Sequence, residues 1–445
     1  MSTTNTTNLA DVARQAVDLA RQKGASEAAA TANRTRDVET QWRDGRLDKV
    51  SEATTRGLSL QLYVDGRYAA VATSDLRPEA LERFITDSIA MTRVLARDEH
   101  RRLPEPEFYA GRTAVDLSIE DPRQAALTAD ERQRFVKELE AGARATDKKG
   151  SILSVTTAFG DTLREMYRVS SNGFEGGLRG TQFVASAEVS AQDPDGRRPE
   201  EGDYAVARFF EDLPDAASLG RRAGERSLGR IGSTKGASAV LTMAVDNRSA
   251  GRLVSMLLGP MSGGAVQQKR SFLDGKLGQQ VGSGLLVLTD EPHVKRGLGS
   301  RLFDGEGITA RPMPLFEGGV LRTYFIDTYY GRKLKARPTS GSASNLSWKL
   351  GSKGQAEMLA DLKEGVLVTG FLGGNSNGVT GDFSLGVQGF RVRGGKIAEP
   401  IGEMNISGNQ MDLWKRLVAV GNDPYVNSSM RTPTLVFEGV QFAGV

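Results

Sequence analysis

The chain has 445 residues, 39% hydrophobic and 25% charged, with Lys+Arg 58 against Asp+Glu 55 and a formal net charge of +3. That length calls for two or three cores rather than one, and the near balance of charge, without a basic cluster, argues against a nucleic-acid binder. With Cys 0 there is neither a disulfide framework nor thiolate chemistry.

No apolar run approaches the ~18 residues of a membrane span. The opening MSTTNTTNLADVARQ lacks the basic stretch and apolar core of a signal peptide, so a cytoplasmic protein is expected. Leu9, Val12, Ala13, Ala16, Val17 and Ala20 recur at helical spacing and Gly24 ends the run, which predicts an amphipathic helix. LSLQLYV and RYAAVAT flank Asp65-Gly66, the signature of a two-residue hairpin. Residues 78–96 open with proline and set Leu81, Phe84, Ile85 and Leu95 on one side, predicting a second helix. Pro104, Pro106 and Pro122 mark 97–127 as a connection. Thr128 with Glu131 forms a capping box for a third helix. SILSVTTAFG, LREMYRVSS and GTQFVASAEVSAQ read as strands, with a turn at Asn172-Gly173, and 216–230 reads as a helix.

From about 236 the texture changes. ASAVLTMAV reads as a strand, and Asp246 or Asn247 caps a helix RSAGRLVSMLL that stops at Gly259-Pro260. Glycine then punctuates short strands: GLLVLTD, GGVLRTYFIDT, GVLVTGFLGG, FSLGVQGFRVRGGKI and TPTLVFEGV, with MDLWKRLVAV as a helix among them. The expected architecture is α+β and multi-domain: units over 1–110 and 111–230, then a sheet-rich unit over 231–445.

Motifs for familiar chemistry are missing. There is no GxxxxGK[ST] string and no GxGxxG that follows a strand and opens a helix. With His 2 and Cys 0, and neither His100 nor His293 in an HExxH-type helix, a zinc set cannot be assembled from the usual donors. His293, in TDEPHVKRG, reads as a solvated surface residue, and no GxSxG elbow accompanies it. Asp382, Glu403, Asp412 and Asp423 lie in the glycine-rich half, where turns and helix starts account for them more readily than acid–base work does. The stretch FLGGNSNGVTGDFSLGVQGF, 371–390, has two readings. Glycines supply tight turns with positive φ. Glycine also lets another backbone approach closely, as when a peptide adds to a sheet edge.

The stretches GFLGGNSNGVTGDFSLGVQGF, ISGNQMDLWKRLVAVGNDP and RTPTLVFEGVQFAG resemble the C-terminal region of the TldD/PmbA family, in its TldE (PmbA) branch. GPMSGGAVQQKRSFLDGKLGQQV, SSNGFEGGLRGTQFVASAEVSAQD and TRGLSLQLYVDGRYAAVATSDL extend the resemblance over essentially the whole chain. It implies a heterodimeric peptidase in which a TldD-type subunit binds zinc through an HExxxH helix and the TldE-type subunit does not. The corresponding helix here, DNRSAGRLVSML, offers only Asn, Arg, Ser, Ala and Gly in its first turns. The resemblance therefore implies no catalytic residue and no metal in this chain, with zinc in the partner and an unstructured peptide as substrate. Gly373, Gly374, Asn375, Ser376, Asn377 and Gly378 are the candidate peptide-binding residues: the glycines leave room for a backbone, and the polar side chains suit any sequence. A homodimer is expected for the chain in isolation. Two other readings stand beside this one: a homodimeric peptide- or regulator-binding protein of gyrase-modulator type, and a hydrolase that works through carboxylates.

Overall fold

A computed structural model describes residues 8–445, so the expectation drawn from MSTTNTTNLADVARQ lies in part outside the described residues. The N-terminal half is built on long antiparallel strands. Helix α1 (Leu9–Gln22) leads into β1 (Glu27–Arg43), β2 (Arg46–Val64) and β3 (Arg67–Thr73), followed by α2 (Pro78–Thr92). After the connection come α3 (Ala129–Arg144), β4 (Ile152–Ser170), β5 (Glu175–Ala191), β6 (Glu200–Ala207) and α4 (Ala216–Leu228). Together the strands form one six-stranded sheet in the order β3-β2-β1-β4-β5-β6. β2 and β4 each have 19 residues, and at ~3.3 Å per residue they reach roughly 60 Å. One sheet is therefore long enough to carry two helical layers. Val12, Ala16 and Val17 of α1 and Leu81, Ile85 and Ile89 of α2 pack on one part of it. Phe135, Val136 and Leu139 of α3 and Leu219 of α4 pack on Phe159 and Phe183 in the other.

Asn8 caps α1, which the apolar spacing alone did not announce. One sequence expectation holds at the level of single residues. Thr128 and Glu131 form the reciprocal capping box of α3. Others are corrected. The helix expected over 78–96 stops at Thr92. The two strands expected over 151–171 are one, because Asp161 at the apparent break is buried and fully engaged: Arg132 Nε stands 2.6 Å from it and Gln124 Nε2 2.7 Å.

The C-terminal half begins with β7 (Ala239–Val245), α5 (Asn247–Leu258) and α6 (Gly263–Gln267). A small sheet follows, from β8 (Leu288–Asp290), β9 (Met313–Glu317), β10 (Val320–Leu321) and, after α7 (Thr328–Leu334), β11 (Leu346–Trp348). Then come α8 (Gln355–Ala360), β12 (Glu364–Phe371), β13 (Asn375–Ser376), β14 (Asp382–Arg393), β15 (Lys396–Asn409), α9 (Gln410–Lys415), β16 (Leu417–Val420) and β17 (Leu435–Ala443). The main sheet runs β12-β7-β17-β15-β14-β13, and β12 also pairs with β14, which closes five strands into a barrel. Leu253, Val254 and Leu257 of α5 enter the same core as Phe383, Leu385 and Trp414. The run MDLWKRLVAV changes state partway: α9 ends at Lys415, and Leu417–Val420 pairs with β17, burying Leu417 opposite Phe437. Tertiary pairing overrides the local helical pattern there. Among the described residues no helix is long and apolar enough to cross a membrane.

Candidate functional site

The glycine-rich stretch begins where β12 leaves the barrel. Gly373 and Gly374 both have positive φ, at 68° and 94°, a region that side chains with a Cβ rarely enter. They differ in their surroundings. A Cβ at Gly373 would meet nothing within 4 Å, whereas one at Gly374 would stand 2.2 Å from the Ser384 carbonyl oxygen. The backbone that approaches Gly374 is thus β14 of the same chain. Asn375 and Ser376 pair with Ser384 and Phe383, so the β14 edge at this point is taken by a strand of the same chain. Asn377 is a turn residue: its Oδ1 accepts from Val379 N at 2.9 Å and Thr380 N at 3.4 Å. Ser376 Oγ accepts from Gln410 Nε2 at 2.6 Å. Asn375 is exposed, and its side chain makes no hydrogen bond among the described residues.

Ser376 and Gly378 nevertheless line a cavity of about 450 Å³, whose other walls are the last turn of α5 and the segment after it: Ser255, Met256, Gly259, Pro260, Ala265, Gln268 and Arg270. The Gly378 carbonyl accepts from Phe272 N at 2.9 Å, which fixes the loop against that segment. Arg270 is exposed and forms no ion pair with any described residue. The structure therefore brings Ser376 and Gly378 to α5. Gly373, Gly374, Asn375 and Asn377 are not among the lining residues. Sequence reasoning missed the residues of 255–270. Gly259-Pro260 marks a helix stop, but nothing in the spacing joins it to 376–378.

The first turn of α5, where the family resemblance sets the missing zinc ligands, is committed to bonds within the C-terminal unit and across to the central one. Asp246 caps the helix through Ser249 N at 2.7 Å and lies 3.5 Å from Arg226. Burial pushes its carboxyl up, against the opposing pull of Ser249 and Arg226. Asn247 Nδ2 donates to the Asp423 carbonyl at 2.7 Å, and Ser249 Oγ to the Thr369 carbonyl at 2.7 Å. Arg248 reaches across to the Gly202 carbonyl at 2.9 Å and Asp203 at 3.2 Å. No imidazole, thiolate or free carboxylate stands on this helix, and among the described residues no three His, Cys, Asp or Glu side chains cluster to hold a metal. The donor set does not fit zinc.

The four carboxylates singled out from sequence serve separate local structures. Asp382 accepts from Thr380 Oγ1 at 2.7 Å and Asn409 Nδ2 at 3.0 Å, which hold its carboxyl below the usual range. Asp423 accepts from Thr434 N and Oγ1 at 3.0 and 2.7 Å. Asp412 lies in the first turn of α9, and Glu403 is an exposed residue with φ 55°. His293 departs from expectation: it is half-buried, and its Nε2 is buried without a hydrogen-bond partner. His100 lies beside Glu99, and its carbonyl accepts from Arg332 at 3.1 Å.

Three family models match the chain: a PmbA/TldA metallopeptidase domain 1 over residues 28–92, a central domain over 122–231 and a C-terminal domain over 238–444. The chain is 27% identical to the metalloprotease PmbA of Escherichia coli O157:H7 over 98% of this chain and 96% of that protein. It is 40% identical to a putative modulator of DNA gyrase from Bacteroides thetaiotaomicron, whose crystal structure superposes with a TM-score of 0.94 over 98% of each chain. TldE from Thermococcus kodakarensis shares the fold, with a TM-score of 0.87 over 97% of this chain and 100% of that one, at 20% identity.

Proposed function

The chain belongs to the PmbA/TldD metallopeptidase family, in its TldE (PmbA) branch, and we propose that it is the subunit of a two-chain peptidase that holds no catalytic metal. The observation that carries this reading is the state of α5. Its first-turn polar side chains are tied into hydrogen bonds and ion pairs, and it presents no zinc donor. Zinc and the base that activates water would then belong to a TldD-type partner. This chain would supply cleft wall: the cavity between the last turn of α5 and Ser376–Gly378 would take the backbone of an unstructured peptide, with Asn375 and Arg270 as its polar rim. Gly374 and Asn377 are withdrawn from direct contact in this reading, because the fold already uses them. The units 1–110, 111–230 and 231–445 divide the work, the third carrying the cleft.

Two measurements on the purified chain test the assignment. Elemental analysis after dialysis should find no stoichiometric zinc, and one tightly held zinc per chain would overturn it. Light scattering of an equimolar mixture with a TldD-type subunit should show the mass of a two-chain complex, which in this reading buries well above the ~1,600 Å² of a standard interface. Alone, the chain should pair with itself through the same face. Only monomers in both samples would count against the reading.

A further inference from the structure

A second cavity, of about 320 Å³, lies between the connection after α2 and the small sheet of the C-terminal half. Arg301, Arg311 and Arg337 all line it, and none forms an ion pair with a described carboxylate. The three differ in how they are held. Arg301 is half-buried and anchored: it donates to Ser340 Oγ at 3.1 Å and Ser342 Oγ at 3.3 Å, while its Nε is buried without a partner. Arg311 donates once, to the Ala110 carbonyl at 3.1 Å. Arg337 stands over the Phe108 ring at 5.6 Å and donates no hydrogen bond within the described protein. Phe108, with Met313 and prolines at 292, 312 and 338, gives the same cavity apolar walls.

Unpaired guanidinium groups around one hollow repel one another unless an anion joins them. Two acids also line the cavity and oppose such an anion. Glu107 is exposed, where solvent screens it. Asp290 is 1% exposed; its Oδ1 accepts from Ser344 N at 2.6 Å and Ser344 Oγ at 2.8 Å. Burial pushes the Asp290 carboxyl up, against the opposing pull of Ser344 and Arg301. The volume is at the lower end of the range of small-molecule sites.

We propose that this cavity binds the carboxylate of a small ligand with an apolar body, the carboxylate on Arg301, Arg311 and Arg337 and the body against Phe108. Guanidinium matches a carboxylate in two parallel hydrogen bonds, which a point charge does not. A free amphipathic acid and the C-terminus of a short peptide share this chemistry. The site stands apart from the α5 cavity and does not depend on the proposed peptidase role.

Titration calorimetry on the full chain, without any partner, tests it. The probes are N-acetyl-L-leucine, its amide, inorganic phosphate, and the tripeptide Ala-Ala-Leu with a free or an amidated C-terminus. N-acetyl-L-leucine should bind one to one and its amide at least about tenfold more weakly, the scale of a charge-assisted hydrogen bond. Arg311→Gln and Arg337→Gln change exposed residues, and each should weaken acid binding about tenfold at an unchanged melting temperature. Tighter binding of the free tripeptide than of N-acetyl-L-leucine identifies a peptide terminus; the reverse identifies a free acid. Equal binding of acid and amide, no binding of either at millimolar concentration, phosphate bound in preference to both, or acid binding unchanged in the two variants would overturn the proposal.

Discussion

At its N-terminal end α5 turns its polar side chains inward to the protein: Asp246 to Ser249 and Arg226, Asn247 to the Asp423 carbonyl, Ser249 to the Thr369 carbonyl. At its C-terminal end Ser255, Met256, Gly259 and Pro260 border a cavity shared with Ser376 and Gly378, and Ser255 Oγ donates to its own helix, at the Arg252 carbonyl. One end is fixed by what surrounds it; the other borders an open cavity. A residue type that looks suited to binding is informative only where the fold has not already used it.

The largest effect should come where the glycine-rich segment is itself fixed. Gly374→Val puts a Cβ 2.2 Å from the Ser384 carbonyl at a φ of 94°, and strain with overpacking should cost about 4 kcal/mol in urea unfolding. A loss under about 1 kcal/mol would show that β13 yields easily, and would reopen Gly374 as a contact for peptide.

Next is the cap of α5. Asp246→Ala removes the bond to Ser249 and leaves Arg226 short of a buried partner, and should cost about 3 kcal/mol. Asp246→Asn keeps a capping oxygen without a titrating group. Because burial holds the folded-state carboxyl above its unfolded value, its contribution to stability is present below about pH 4 and is lost as pH rises through the folded value. The Asn variant should therefore gain on the parent between pH 4 and pH 7. A constant or shrinking gap would contradict the burial assigned to Asp246.

Smaller effects separate neighbours in the loop. Gly373→Ala meets no atom within 4 Å but keeps a φ of 68°, so about 1 kcal/mol is expected. Asn377→Ala loses the turn bonds to Val379 and Thr380 and should cost a similar ~1 kcal/mol. Asn375→Ala should leave stability within about 0.5 kcal/mol and lower cleavage by the two-chain complex. A stable Asn375→Ala complex that cleaves like the parent would remove Asn375 from the cleft.

The sequence makes legible whatever depends on neighbours along the chain. Thr128 with Glu131, and Asp246 announce helix starts because capping is local, and Asp65-Gly66 announces its hairpin. Strand β1 is hidden by Arg34 and Arg36 on one face and Asp37 on the other, all partly or fully solvated. Strand β15 is masked by Pro400 and by bulges against β14. In Leu417–Val420 the short apolar run fits helix or strand equally, and only its pairing with β17 decides. The cavity at the end of α5 is less legible still. Its walls come from 255–270 and from 376–378, and only the closure of the barrel joins them.

The most direct test of the two-chain account is cleavage of an unstructured peptide by this chain alone, with added zinc, and again after mixing with a TldD-type subunit. No turnover from the chain alone and chelator-sensitive turnover from the mixture is the predicted result. Turnover by the partner-free chain that survives a chelator would contradict it and point back to carboxylates.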